Sequence, residues 1–469
     1  MLWANLGDKI MQKKLTYKFL TIGGLVILLL IPLMMIDGVI SERKQYRDSV
    51  VREVAKSSTG KQKITGAIFV APYQEKMFKE TVVNKDGQKK VVVNESIRQH
   101  YRYYLPEEME VVGNIETEER YRGIYKIPVY LANLSIAGYF SIPKTLGLKN
   151  EAKNIIWQKP YIVVGVEDIR GVNRSISLQV NEKDIALLPS TKTAFIPQGI
   201  HGLLTADYSQ EQRFEFSVDM ELQGMQQLSF LPTGKFTQVS LSSSWPHPSF
   251  VGRFLPKKRT VSEKGFTADW ETSFFSSNME SYLKACADGK ECKSFNNNSF
   301  GVSLHQGVDV YLQAERSVKY ALLFIGLTFV AFFLFEVLKG LPVHAVQYGL
   351  VGVALALFYV LLVSLSEHIA FALSYIIAAT ACVSLLGFYV SFVLRSVTKG
   401  LVFGATLIAL YGALYLLIRS EDYALLMGSI LLFGVLAFIM IVTRDVNWYQ
   451  IEEGAKQQLT SSVPSKSEK

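Results

Sequence analysis

The sequence predicts a membrane α-helical bundle of about six spans joined to a large, mostly antiparallel β-sandwich-like domain. Two patterns predict it. Five apolar runs crowd the last third of the chain and a sixth lies near the N-terminus. Between them, from Ile64 onward, apolar residues recur with a period of two. The 469 residues, 49% of them hydrophobic, suffice for a bundle plus a sizeable water-soluble part.

The N-terminal residues 1–18 carry Lys9, Lys13, Lys14 and Lys18, and the apolar run Phe19 to Ile36 follows. A secretory apolar core has about 7–15 residues. This run is longer and no small-x-small cleavage site follows it, so 19–36 reads as an uncleaved signal anchor with a cytoplasmic N-terminus. Pro32 is tolerable there because neighbouring helices can satisfy the carbonyl it frees. Val39, Tyr46, Val50, Val51 and Val54 continue at helical spacing among charges, giving a juxtamembrane amphipathic helix within 37–63. Ser57-Ser58-Thr59-Gly60 should stop it.

The β-rich domain is expected over 64–318. Val82-Val83-Asn84, Lys85-Asp86-Gly87 and Val91-Val92-Val93 read as a hairpin around an Asp-Gly turn. Leu134, Ile136, Gly138 and Phe140 alternate, as do Phe214, Phe216, Val218, Met220 and Leu222, marking half-buried strands. One large sandwich or two lobes would both fit the length. Cys286 and Cys292 stand close together, either as a local disulfide or as two unpaired thiols in an Asp-Gly-Lys loop. The third cysteine, Cys382, falls within a span.

The bundle, 319–443, holds the runs Tyr320 to Leu338, Tyr348 to Leu365, Ile369 to Leu394, Leu401 to Ile418 and Tyr423 to Val442. Each has about 18 residues or more, enough to cross a core about 30 Å thick. Connections bearing Lys339, Arg395 with Lys399, and Arg444 are richer in uncompensated positive charge than Ser366-Glu367-His368 and Arg419-Ser420-Glu421-Asp422. The former set should face the cytoplasm, which places both termini inside and the β domain outside. Arg43, Lys44, Arg316 and Lys319 run against the rule, but long domains translocate largely regardless of charge. A cytoplasmic tail, 444–469, closes the chain, its end from Ser461 compositionally disordered.

Candidate functional residues are the ionisable groups near the spans, because a charge buried in lipid is costly unless paired or functional. Glu336 lies about one turn from a span end, within reach of Lys339 or His344, and reads first as a carboxylate that snorkels to the interface. Glu367 and His368 sit at a sharp turn, where carboxylate and imidazole either cap a helix end or perform acid–base work. In the soluble part Ser244-Trp245-Pro246-His247-Pro248-Ser249-Phe250 reads as a rigid segment, either packed on a sandwich edge or forming a partner surface. The net charge of +8 is scattered, leaving no nucleic-acid footprint. No nucleotide, hydrolase or metal motif occurs, so no catalytic residue, metal ligand or cofactor is assigned.

Taken together, many short words of the chain resemble the CreD family. They include Ile31-Pro32-Leu33, Glu42-Arg43, Ser58-Thr59-Gly60, Glu119-Arg120, Asp168-Ile169-Arg170-Gly171, Trp245-Pro246-His247-Pro248, Phe254-Leu255-Pro256, Leu365-Ser366-Glu367-His368 and Trp448-Tyr449. The resemblance implies a multi-pass protein of the Gram-negative inner membrane with a large periplasmic domain and a part in envelope maintenance and colicin tolerance. It implies no catalytic residue. The cysteine-bearing insertion departs from the family pattern, so a disulfide there is no family requirement. Three functions remain open: contact with a periplasmic or membrane protein or with membrane lipid; a membrane-embedded enzyme using Glu367 and His368; or transport through a bundle in which Gly349, Gly352, Gly404 and Gly412 permit close approach. Oligomeric state is not legible.

Overall fold

The computed structural model describes residues 2–85, 88–148, 154–290, 292–304, 309–339, 343–393, 395–420 and 423–444. The Asp86-Gly87 turn, the Glu421-Asp422 loop, Trp448-Tyr449 and the C-terminal tail lie outside them. The chain divides into two compact units, Met1–Tyr46 with Val308–Lys469, and Arg47–Gly307. The first helix, α1 (Leu2–Ser57), contributes to both and ends at the predicted stop.

In the unit Arg47–Gly307 the described residues form a nine-stranded and an eight-stranded sheet. The first four strands are β1 (Gln62–Lys85), β2 (Gln88–Tyr104), β3 (Glu108–Arg122) and β4 (Tyr125–Ile142). In the first sheet β1 is central, flanked by Gln227–Leu231 and Tyr161–Val166; in the second, β3 and β4 pair between Phe236–Ser243 and Gln212–Met225. Pairing is antiparallel except where β1 meets Gln227–Leu231 and β3 meets Phe236–Ser243. The sheets form one sandwich with one principal core. Phe69 of β1 meets Phe140 and Phe214 of the opposite sheet at 5.8 and 5.2 Å between ring centroids. The predicted alternation appears as burial: Phe214, Phe216, Val218, Met220 and Leu222 all point inward.

The outer face of the first sheet is covered where Ile68, Val70, Tyr161 and Val163 meet a helical insertion. That insertion consists of α2 (Phe274–Ser277), α3 (Met279–Ala287) and α4 (Lys293–Asn296). A loop was one reading of the polar stretch at Cys286 to Cys292. Asp288, Gly289 and Lys290 do form a turn, but it follows a helix: Met279, Leu283 and Cys286, spaced one and two turns apart, bury one side of α3. Cys286 and Cys292 are disulfide-bonded, with Cα atoms 4.6 Å apart.

The predicted hairpin is longer than its Val runs suggested. β1 and β2 pair from Phe69↔Tyr104 to Lys85↔Gln88. From Lys76 outward, among the described residues, they pair only with each other and form a ribbon. One face carries Phe78, Val93, Ile97 and Tyr101, which are 54%, 55%, 57% and 47% exposed. This is the continuation of the face that α3 and α4 cover nearer the body of the sandwich.

The other unit contains α5 (Val310–Lys319), α6 (Ala321–Lys339), α7 (Ala345–Ser366), α8 (Phe371–Val393), α9 (Val397–Arg419) and α10 (Ala424–Thr443). Among the described residues five helices are long and apolar enough to cross a membrane: residues 20–57 of α1, and α7 to α10. The α5–α6 pair, bent by 45° at Tyr320, makes a sixth candidate. The run predicted from Tyr320 to Leu338 is α6, which starts at that bend. Buried rings bind the centre: Tyr411 meets Phe324 and Phe358 at 4.5 and 4.7 Å, and the Tyr375 hydroxyl donates to the Tyr411 carbonyl at 2.6 Å. Such a bond inside the bundle satisfies a hydroxyl that lipid could not. α10 has no buried residue and lies at the periphery of this unit.

Candidate functional site: a charged pair at the end of an apolar cleft

Leu29, Pro32, Ile36, Val39 and Arg43 recur every three or four residues along α1, and so lie on one stripe of that helix. Val353, Leu357, Val360, Ser364 and Glu367 do the same along α7. The two stripes face each other across a cleft of about 440 Å³, apolar along most of its length and polar at the end holding Arg43, Ser364 and Glu367. Gly352 makes the approach possible: a Cβ built there would collide with the side chain of Leu29. Of the other glycines considered, Gly349 has only ordinary contact with Leu25, while Gly404 and Gly412 meet nothing within 4 Å. Close approach through those two glycines is therefore not what packs the bundle.

Glu367 is the C-terminal cap residue of α7, and its side chain is 12% exposed. Its Oε1 lies 3.5 Å from Nε of Arg43 and accepts from the Tyr311 hydroxyl at 3.3 Å. Tyr311 is buried in the first turn of α5, whose N-terminus Asp309 caps by accepting from the backbone N–H groups of Tyr311 and Leu312. Beside this pair, Glu315 of α5 binds Lys44 and Lys319 at 3.5 and 3.0 Å. His368 does not join Glu367. It is exposed, as adjacent residues at a helix end point different ways.

Glu336, near the C-terminal end of α6, binds Tyr348 in the first turn of α7, 19 residues before Glu367, or about 28 Å at 1.5 Å per residue. It is buried, against the expectation that it snorkels. Its carboxylate accepts from the Val343 backbone N–H at 3.1 Å and from the Tyr348 hydroxyl at 2.9 Å, fixing the entry to α7. His344 instead caps α7, its Nδ1 accepting from the Val346 N–H.

In the sandwich unit, the Trp245 segment is the strand-to-strand corner that carries the chain from one sheet to the other. Ser243 Oγ donates to the Ile115 carbonyl and accepts from the Trp245 N–H. Trp245 packs on the principal core, and Phe250 meets Trp270 and Phe266 edge to face. Pro246 is half-buried, His247 is exposed, and Pro248 opens an edge strand, where its missing N–H costs no ladder bond.

A second charged pair escaped the reading of sites. Arg170 donates from Nη1 to the Lys56 carbonyl at 2.6 Å and from Nη2 to the Ala55 carbonyl at 3.3 Å, both in the last turn of α1. Asp168 holds the guanidinium through Nε at 2.9 Å and Nη2 at 2.6 Å. Gln62 grips the same loop, accepting from the Asp168 N–H and donating to the Asp168 and Gln223 carbonyls. The bond from Arg170 holds the Asp168 carboxyl below the usual carboxylate range, against the opposing effect of burial. The only sequence signal was the word Asp168-Ile169-Arg170-Gly171; its partners are far away in the chain.

Among the described residues no three His, Cys, Asp or Glu side chains gather into a metal-binding group. Two crystal structures of an M1 zinc metallopeptidase from Deinococcus radiodurans, one of them a mutant bound to a Tyr-Ser-Ala substrate, align with 8% and 7% identity. They cover 36% of this chain and 39% and 38% of theirs, at TM-scores of 0.19 and 0.18, which carry no argument. The inner membrane protein CreD of Escherichia coli (strain K12) is 37% identical over 439 residues, covering 94% of this chain and 95% of that protein. The profile of the family described as "Inner membrane protein CreD" matches residues 14–449. The chain is thus a multi-pass inner membrane protein and belongs to the CreD family.

Proposed function

We propose that this protein supports cell-envelope integrity without catalysing a reaction, by holding a membrane lipid between α1 and α7. The β-sandwich unit lies in the periplasm in this reading, and both termini are cytoplasmic, as the loop charges favour. One observation carries it: two apolar stripes end together at a cation and a carboxylate. An acyl chain matches the stripes and a polar head group matches the end. Separation of Glu367 from His368 argues against the acid–base alternative. The test is complementation of a deletion strain under envelope stress, with membrane abundance measured. Val360→Trp, which fills the cleft from an exposed position on α7, should fail at normal abundance. Full complementation by that variant would sink the reading.

The uncovered ribbon face favours a second reading, in which a periplasmic or membrane protein docks on the sandwich unit. Phe78, Val93, Ile97 and Tyr101 alternate with Glu95 and Gln99 on one face of a two-stranded ribbon, an arrangement that is marginal in water without cover. A photo-crosslinker at position 97 in cells should then give one discrete protein adduct. Lipid adducts alone would remove this reading.

A further inference from the structure

The lipid reading leaves open which head group the polar end prefers, and any head-group assignment rests on that reading. The end of the cleft is not a basic patch. Arg43 and Glu367 stand side by side, so their local charge cancels. Neither is used up. Nε of Arg43 makes the nearest approach to Glu367; among the described residues Nη1 and Nη2 donate no hydrogen bond, and the side chain is 49% exposed. Glu367 engages both its neighbours through Oε1, and Oε2 accepts from nothing among the described residues.

We propose that the cleft selects an aminophospholipid, a zwitterionic lipid with a phosphate and a primary ammonium: the phosphate takes the free Nη donors of Arg43, and the ammonium donates to Oε2 of Glu367. Each half of the head group meets its opposite charge through an N–H, which gives charge-assisted bonds about twice as strong as neutral ones. A choline head group carries the same charges but has no N–H to donate to Oε2. An anionic glycerol head group satisfies Arg43, yet brings net negative charge to the Glu367 carboxylate and offers it only neutral hydroxyls. Ser364, one turn before Glu367, adds a hydroxyl at the same end.

The experiment uses the full chain, purified in detergent, stripped of lipid and offered an equimolar mixture of phosphatidylethanolamine, phosphatidylcholine and phosphatidylglycerol with identical acyl chains. Bound lipid is read by native mass spectrometry. Wild type should retain phosphatidylethanolamine over phosphatidylcholine by about tenfold, the ratio that one charge-assisted bond supports. Glu367→Gln keeps an oxygen for the Tyr311 hydroxyl but loses the charge, and should bring that ratio close to one. Arg43→Gln should lower retention of all three lipids together. Soluble phosphoethanolamine in excess should not displace the bound lipid, because it lacks the chain. Preference for phosphatidylglycerol, or equal retention of all three by wild type, would overturn the head-group assignment while the lipid reading survives. Retention of no lipid by wild type would remove both.

Discussion

The chain holds two Arg–carboxylate pairs that differ in how completely they are satisfied. Arg170 engages Nε, Nη1 and Nη2, and both oxygens of Asp168 are bound, with the last turn of α1 as the third party. Arg43 and Glu367 come no nearer than 3.5 Å and leave donors and an acceptor facing a cleft. A saturated pair acts as a staple, because nothing can be added without breaking it. An unsaturated pair beside an apolar cleft has capacity left for a ligand.

If the staple is structural, Arg170→Ala should have the largest effect on stability. It removes the donors that bind two helix-end carbonyls and both oxygens of Asp168. The loss should appear as a lowered melting temperature in a thermal scan. Gly352→Val comes next. The added methyls drive Leu29 away and should cost about 1–3 kcal/mol through overpacking. A lipid-dependent melting shift would weaken with it, because the cleft walls move apart.

Acid should also separate the pairs. The folded-state pKa of Asp168 lies below its unfolded value of about 3.9. Its stabilisation is therefore present above that value and is lost as pH falls through the lower, folded one. Wild type should lose stability more steeply than Asp168→Asn below about pH 4, as followed by denaturant unfolding across pH. A matching slope in both proteins would break the comparison. The smallest effect belongs to Arg43→Ala in lipid-free detergent, where an incompletely made, half-exposed pair should be worth less than about 1 kcal/mol. A loss as large as that of Arg170→Ala would make Arg43 a staple too.

The spans were legible because hydrophobic length is a local property: Tyr348 to Leu365 was predicted and α7 runs Ala345–Ser366. The same holds for the alternating strand through Phe214 and Leu222, whose period of two needs no partner to be seen. The bend at Tyr320 was hidden because the ten-residue α5 is amphipathic and too polar to extend the apolar run. The spacing of Met279, Leu283 and Cys286 did announce α3, but the polar residues around it masked the pattern. At the candidate site Glu367 was legible as an ionisable group at a span end. Its partners were not, since Arg43 and Tyr311 reach it only through tertiary packing. The adjacent His368 offered a false pair, because nearness in sequence at a helix end does not aim two side chains at each other.

The most direct test of lipid capture is the number of phospholipids retained per chain by wild type and by Val360→Trp, both purified in the same mild detergent and weighed by native mass spectrometry. One tightly held lipid is expected in wild type and none in the variant, with equal melting temperatures once both are lipid-free. Equal lipid retention by the two proteins would contradict a lipid seat between α1 and α7.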